Sequence, residues 1–317
     1  MRIGIDIMGG DNAPETTIDG VILASKKVEK DTTIVLFGDE KKIEERLKEK
    51  NITLDNIEIV HTDEVIAMGD SPTQAFTKKP NSSIVVGFDK LKKGEIEGFA
   101  SAGSTGAMMV GCILIIKQIE GVLRPTIATP LPTFDGNIMY LLDVGLNIDC
   151  KPEVLEQYGL IGSIYAECQG VKSPKIALLN IGEEEEKGNA VTKATHQLMK
   201  DSTQYNFIGN IESKRIFTGE VDVVVCDGFT GNIVLKTAEG LYPFLAKSKE
   251  LSETEFVKGF NYEIAGGTPV LGINSTVIIG HGCSSALAIQ NMILQTEKNV
   301  KVKLVEKIKN AFKNGKN

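Results

Sequence analysis

Seven short, almost wholly apolar runs recur along the chain, separated by helical segments, and this alternation constrains the fold more than any other feature. They are residues 3–7 (IGIDI), 32–38 (TTIVLFG), 57–60 (IEIV), 98–103 (GFASAG), 138–145 (IMYLLDVG), 175–182 (KIALLNIG) and 221–228 (VDVVVCDG). A strand with one wet face alternates polar and apolar residues, whereas a strand covered on both faces reads as a continuous apolar run. Between the runs lie helical stretches at 14–29, 39–49, 82–93 and, very apolar, 105–118. The pattern predicts an α/β protein, a three-layer α/β/α sandwich around a mostly parallel sheet with right-handed crossovers. A single α/β domain over residues 1–317 is expected. The proline-bearing stretch 120–136 reads as a loop, and a charged segment at about 238–262 as a short helical excursion.

Composition excludes several classes. No run approaches the length of a membrane span, and a chain opening on a strand carries no expected leader. The five cysteines are scattered with no CxxC pair, so neither a zinc site nor a disulfide framework is expected, and a reducing cytoplasm fits. A net charge of −7 and the absence of tryptophan argue against nucleic-acid binding.

In open α/β sheets, ligands bind beyond the carboxyl ends of the strands. The residues there are MGGD (8–11), ASAGSTGA (100–107), DVGLNIDCKPE (143–153), NIGEEEEKGN (180–189) and CDGFTGN (226–232). Ser101, Gly103, Ser104, Thr105 and Gly106 sit between a strand and a helix, where free N–H groups and hydroxyls favour an oxyanion. The same residues also suit a plain N-cap. No Walker loop, GxGxxG fingerprint, HExxH spacing or Ser-His-Asp order occurs. Acids at a helix start complement its dipole, which accounts for Glu183 to Glu186 but not for Lys187. Asn232 could cap its helix or donate an amide hydrogen bond. His281 and Cys283, in GHGCSS, fit a structural role as well as a chemical one.

Taken together and in order, MGGDNAP, SAGSTGA, LLDVGLNIDCKPE, LLNIGEEEEKGN, VVVCDGFTGN and GGTPVLGINSTVIIGHG resemble the bacterial phosphate acyltransferase family (PlsX), from the first residues to about residue 292. The resemblance implies a fold similar to phosphotransacetylases and to isocitrate and isopropylmalate dehydrogenases. It implies acyl transfer from acyl-acyl carrier protein to inorganic phosphate, with no organic cofactor and no metal. The acyl phosphate would pass to a membrane glycerol-phosphate acyltransferase in phospholipid synthesis. It also implies a homodimer in the cytoplasm, in peripheral contact with the inner face of the cell membrane.

Lys187 and Asn232 match the family's GEExxKGN and GFTGN positions and are the expected catalytic pair. Asp6, Gly9, Gly10 and Asp11 would form one wall of the cleft. Ser101, Gly103, Thr105, Gly106, Asn180, Glu183, Gly231 and His281 complete the expected substrate-binding set. The chain departs from the family pattern at Ser104, Leu146 and Cys283, and in a short stretch between 240 and 260 where relatives carry a longer helical pair for dimer and membrane contact. Phosphate can attack a thioester directly, so no enzyme nucleophile is needed. A phosphotransacetylase acting on acyl-coenzyme A, a dehydrogenase of the related fold, and a non-catalytic acyl or phosphate binder are the rival readings. The tail 299–317 places Val302, Val305, Ile308 and Phe312 on one helical stripe among Lys301, Lys303, Lys307, Lys309, Lys313 and Lys316. That stripe suits packing on the domain, or docking to anionic lipid or an acidic carrier protein.

Overall fold

The computed structural model describes residues 1–248 and 250–314. Those residues form strands β1 (Arg2–Asp6), β2 (Thr33–Gly38), β3 (Ile57–His61), β4 (Gly98–Ser101), β5 (Thr126–Pro132), β6 (Ile138–Leu142), β7 (Lys175–Asn180), β8 (Asn206–Glu212), β9 (Val223–Val225), β10 (Thr268–Leu271) and β11 (Thr276–Ile279), with helices between them. Where the sequence reading carries one domain, the residues group into two compact units. One is Met1–Ile119 with Tyr262–Val305; the other is Glu120–Asn261 with the residues from Glu306 onward.

In the first unit the strand order is β3-β2-β1-β4-β11-β10. All neighbours are parallel except β10 against β11. The continuous apolar runs have a direct cause here. Ile34 and Leu36 of β2 join Ile3, Ile5, Ile18, Val21 and Ile289 in one core cluster. Val35 and Phe37, of opposite parity, join Phe88, Phe99 and Met108 in another. Phe99 meets Phe37 and Phe88 edge-on at centroid distances of 5.7 and 5.3 Å.

In the second unit the order is β5-β6-β9-β7-β8, with β5 antiparallel to β6 and the other pairs parallel. Leu141, Leu178 and Val223 to Val225 are fully buried. The helix Pro152–Gln169 buries Tyr158, Ile161 and Tyr165, and Tyr165 packs edge-on against Tyr140 at 5.0 Å.

Three segments differ from expectation. The stretch 120–136 is not all loop, because β5 lies inside it. Pro130 and Pro132 pair opposite Tyr140 and Ile138. Their two-residue spacing gives both ring nitrogens the same edge, so the ladder to β6 can close through alternate residues. The apolar helix at 105–118 is α-helical only over Thr105–Val110 and widens to a π-helix over Gly111–Ile116. The excursion at 238–262 is the second half of a longer helix, Gly228–Leu245, followed by a short one, Glu255–Lys258. Lys249 lies outside the described residues.

The tail forms a separate helix, Leu304–Asn314, set off by Lys303 at φ 55°. Leu304, Ile308 and Phe312 are buried, while Val302 and Val305 are half-buried. The stripe is therefore packed; the exposed Lys307 donates its Nζ to the Cys168 Sγ at 3.5 Å, and Lys313 is exposed. Lys316 lies outside the described residues. No described helix is long and apolar enough to cross a membrane.

Candidate active site

Each unit gathers its strand-end loops around one buried carboxylate. In the first unit that carboxylate is Asp6, the last residue of β1 and fully buried. It accepts the Ser101 hydroxyl at 2.6 Å and the Met8 N–H at 3.0 Å, and Ser101 Oγ in turn accepts the Gly103 N–H at 2.9 Å. Burial pushes the Asp6 carboxyl above the usual range, while its hydrogen bonds from Ser101, Ser83, Met8 and Gly9 pull it back down. Gly9 is pressed into this knot. A Cβ there would lie 2.2 Å from Asp6 Oδ2 and 2.7 Å from the Gly103 nitrogen. The glycine pair after β1 thus serves close approach between two loops. Gly10 faces the Gly282 carbonyl, and the Asp11 N–H donates to that carbonyl at 2.8 Å. This contact brings MGGD beside GHGCSS, where His281 Nδ1 lies 3.1 Å from the exposed Cys283 Sγ.

The structure therefore brings Asp6, Gly9, Gly10, Asp11, Ser101, Gly103 and the His281 loop together. The hydroxyls of Ser101 and Ser104 are buried and engaged, Ser104 capping the Ala107 N–H. Thr105 is exposed, and Gly106 packs against Pro72.

In the second unit the carboxylate is Asp143, one residue beyond β6 and fully buried. It accepts N–H groups from Ile127, Leu146 and Asn147 at 3.2, 3.3 and 2.7 Å, and the Asn147 amide at 3.0 Å. Burial again raises its pKa against the pull of these donors. Gly231 sits on this loop so tightly that a Cβ would fall 1.8 Å from the Asp143 carbonyl oxygen. Asp227 caps the helix Gly228–Leu245, accepting the Thr230 N–H and hydroxyl at 2.8 and 2.9 Å. One turn on, the Asn232 amide donates to the Val144 carbonyl at 3.3 Å. An amide NH2 has two donors, so this bond orients the group and leaves the other N–H available.

The loop 181–188 after β7 is held from several sides. Arg215 pairs with Glu183, and Lys200 pairs with Glu185 at 2.7 Å. Asn210 donates to the Glu184 carbonyl at 2.8 Å, and Asn180 donates to the Lys187 carbonyl at 3.1 Å. Glu183 and Asn180, expected to meet substrate, thus each make a bond that positions the loop. Lys187 itself is exposed, and among the described residues its ammonium makes no ion pair.

Sequence reasoning passed over Asp143, Asn147, Asn210 and Arg215. Asp143 had a readable signal: it follows the apolar run IMYLL as Asp6 follows RIGI. Asn210 and Arg215 had none, since their partners lie 26 and 32 residues away in the chain. Among the described residues no cluster of three His, Cys, Asp or Glu could hold a metal ion.

A cleft of about 810 Å³ opens among the second unit's loops, touching Asn180, Gly188, Asn189, Asp227 and Thr230. The fold is shared with a phosphotransacetylase from Streptococcus pyogenes, at a TM-score of 0.69 and 17% identity, covering 95% of this chain and 94% of that one. It is also shared with a 4-hydroxythreonine-4-phosphate dehydrogenase from Klebsiella pneumoniae, at 0.55 and 13%, covering 94% and 98%. At such identities the likeness defines a class of α/β fold and nothing narrower. The sequence narrows it. Residues 1–307 match the model of the fatty acid synthesis protein family, and the chain belongs to that family. It is 43% identical over 326 residues to the phosphate acyltransferase of Dictyoglomus turgidum, covering 97% of this chain and 96% of that protein. It is a phosphate acyltransferase, an enzyme of fatty acid and phospholipid synthesis, and membership implies acyl-acyl carrier protein and phosphate as its substrates.

Proposed function

We propose that Lys187 and Asn232 carry out direct displacement at the thioester carbonyl. A phosphate oxygen forms the new C–O bond, the carbonyl oxygen takes up negative charge, and the C–S bond then breaks to release the carrier thiolate. Lys187 balances the charge of phosphate and of the transition state, and the free Asn232 N–H donates to the developing oxyanion. Such a donor contributes roughly 3–4 kcal/mol, and holding phosphate against the carbonyl contributes up to about 7–11 kcal/mol. The observation that carries this reading is the ammonium of Lys187, without an ion pair among the described residues, on a loop whose neighbours Glu183 and Glu185 are both pinned by cations. Mixing acyl-acyl carrier protein with phosphate should release free thiol and acyl phosphate in equal amounts. Preference for acyl-coenzyme A, or binding without turnover, would sink this assignment.

The same reading extends to partners and place: a cytoplasmic homodimer resting on the inner face of the membrane, handing acyl phosphate to a membrane glycerol-phosphate acyltransferase. Ile233, Leu241 and Phe244 are exposed along the helix Gly228–Leu245, which supports an apolar contact. The exposed lysines of the tail support attraction to anionic surfaces, at about 1 kcal/mol each near such a membrane. Changing Lys307, Lys309 and Lys313 to Gln should weaken low-salt binding to anionic vesicles or to carrier protein. Unchanged binding to both would leave the tail a packed helix only, and a monomer in sedimentation would remove the dimer.

A further inference from the structure

The cleft of the second unit is polar by residue name and apolar by what it presents. Asn180 bonds to the Ile181 N–H and the Lys187 carbonyl. Asp227 is occupied by Thr230, and Asn189 by the Thr192 N–H. These three polar groups are thus engaged with their own loops, and the Asp149 and Ser213 side chains complete the polar lining. The apolar lining is not covered: Ile148, Ile181 and Phe229 are 64, 80 and 59% exposed, and Val191 and Val234 are half-exposed walls. Single exposed apolar residues are ordinary, but three large ones from separate loops converging on one cavity mark a binding surface. The volume falls in the range of small-ligand sites.

We propose that this cleft holds the fatty acyl chain of the substrate, with its carboxyl end toward Lys187 and Asn232. The inference rests on the placement of the chemistry at those two residues. Gly188 and Thr230 line the cleft and stand one and two residues from them, so a chain lying in it ends where its carbonyl is needed. The carrier's pantetheine arm is the poorer occupant. Its amides and hydroxyl require open donors and acceptors, which Asn180, Asp227 and Asn189 have already committed locally.

The chain contains no tryptophan, so Val234→Trp serves as both wedge and reporter. With the parent enzyme, kcat/KM should rise with acyl length until the cleft is filled, by about fourfold per methylene, which is about 0.8 kcal/mol converted at 1.4 kcal/mol per decade. In Val234→Trp the optimum should move to shorter chains, with the long-to-short ratio falling about tenfold or more. The introduced indole should be quenched by carrier protein bearing a brominated acyl chain and not by carrier protein with a bare arm. Ile181→Asn, at a solvent-facing site that does not challenge folding, should raise KM for long chains more than for short ones. A folded Val234→Trp with the parent's chain-length profile, or quenching by the bare arm, overturns the assignment. Lys187→Ala separates the two levels. If it still turns over, the chemistry has been misplaced; if it is inactive while Val234→Trp keeps the parent profile, only the acyl cleft is wrong.

Discussion

The two buried carboxylates do the same structural work and leave opposite surroundings. Around Asp6, glycines and hydroxyls fill the space, and the loops are bonded to one another through Ser101 and the Gly103 and Met8 backbones. Around Asp143, the carboxylate ties down backbone at Ile127, Leu146 and Asn147. The groups proposed to act on substrate, the Asn232 amide and the Lys187 loop, lie beyond it and are held by single hydrogen bonds and exposed ion pairs. A carboxylate buried among donors makes a rigid frame. A cation proposed to meet a charged substrate has to stay outside it, where its charge is not already neutralised.

The comparison breaks most severely at the glycines. Gly231→Ala would put a methyl 1.8 Å from a backbone oxygen, and Gly9→Ala one at 2.2 Å from a carboxylate oxygen. Each should cost about 3 kcal/mol or more, with Gly231→Ala the larger because backbone must move. Thermal unfolding reads this directly; a methyl tolerated at both sites would show that neither knot is tight.

Next come the exposed groups. Lys187→Ala and Asn232→Ala should each lower turnover about a hundredfold, on the order of 3 kcal/mol, with the unfolding temperature nearly unmoved. Near-parent kcat in either variant takes that residue out of the chemistry.

A smaller effect separates the two regions by pH. Asp6 and Asp143 have pKa values raised by burial. The folded state therefore binds their protons more tightly than the unfolded state does. Their contribution is complete below the ordinary carboxylate pKa and is lost as pH rises through the raised value. Glu185 is lowered, chiefly by its bond from Lys200, so its contribution runs the other way and fades as pH falls. Asp6→Asn and Asp143→Asn should flatten the fall of stability as pH rises above the ordinary carboxylate range. Glu185→Gln should alter only the acid side, and slightly, as an exposed pair does. Parallel pH profiles for the parent and both Asn variants would contradict the raised values.

The smallest change is expected at Cys283. With direct attack by phosphate, Cys283→Ser should keep the parent's turnover despite the nearby His281. An acyl group found on Cys283 by mass spectrometry would replace direct displacement with a covalent route.

Much of the fold was legible because burial on both faces leaves a mark that a linear pattern can show. RIGI, TTIVLFG and VDVVV are almost wholly apolar since helices cover both sides of the first sheet and the second buries its centre. The strand β5 was hidden, because its prolines carry the local signature of a loop and only the partner β6 shows which edge their nitrogens face. The loops of the site were legible as glycine and small polar residues after strands.

Local chemistry written in neighbouring residues was therefore determined by the sequence: strands, caps such as Asp227 with Thr230, and the unusual cation at Lys187. Which glutamate meets Arg215, and which asparagine turns its amide to the Glu184 carbonyl, were decided by tertiary structure alone. These depend on contacts between residues tens of positions apart, and the energy of a buried or paired group is set by what the folded chain places beside it.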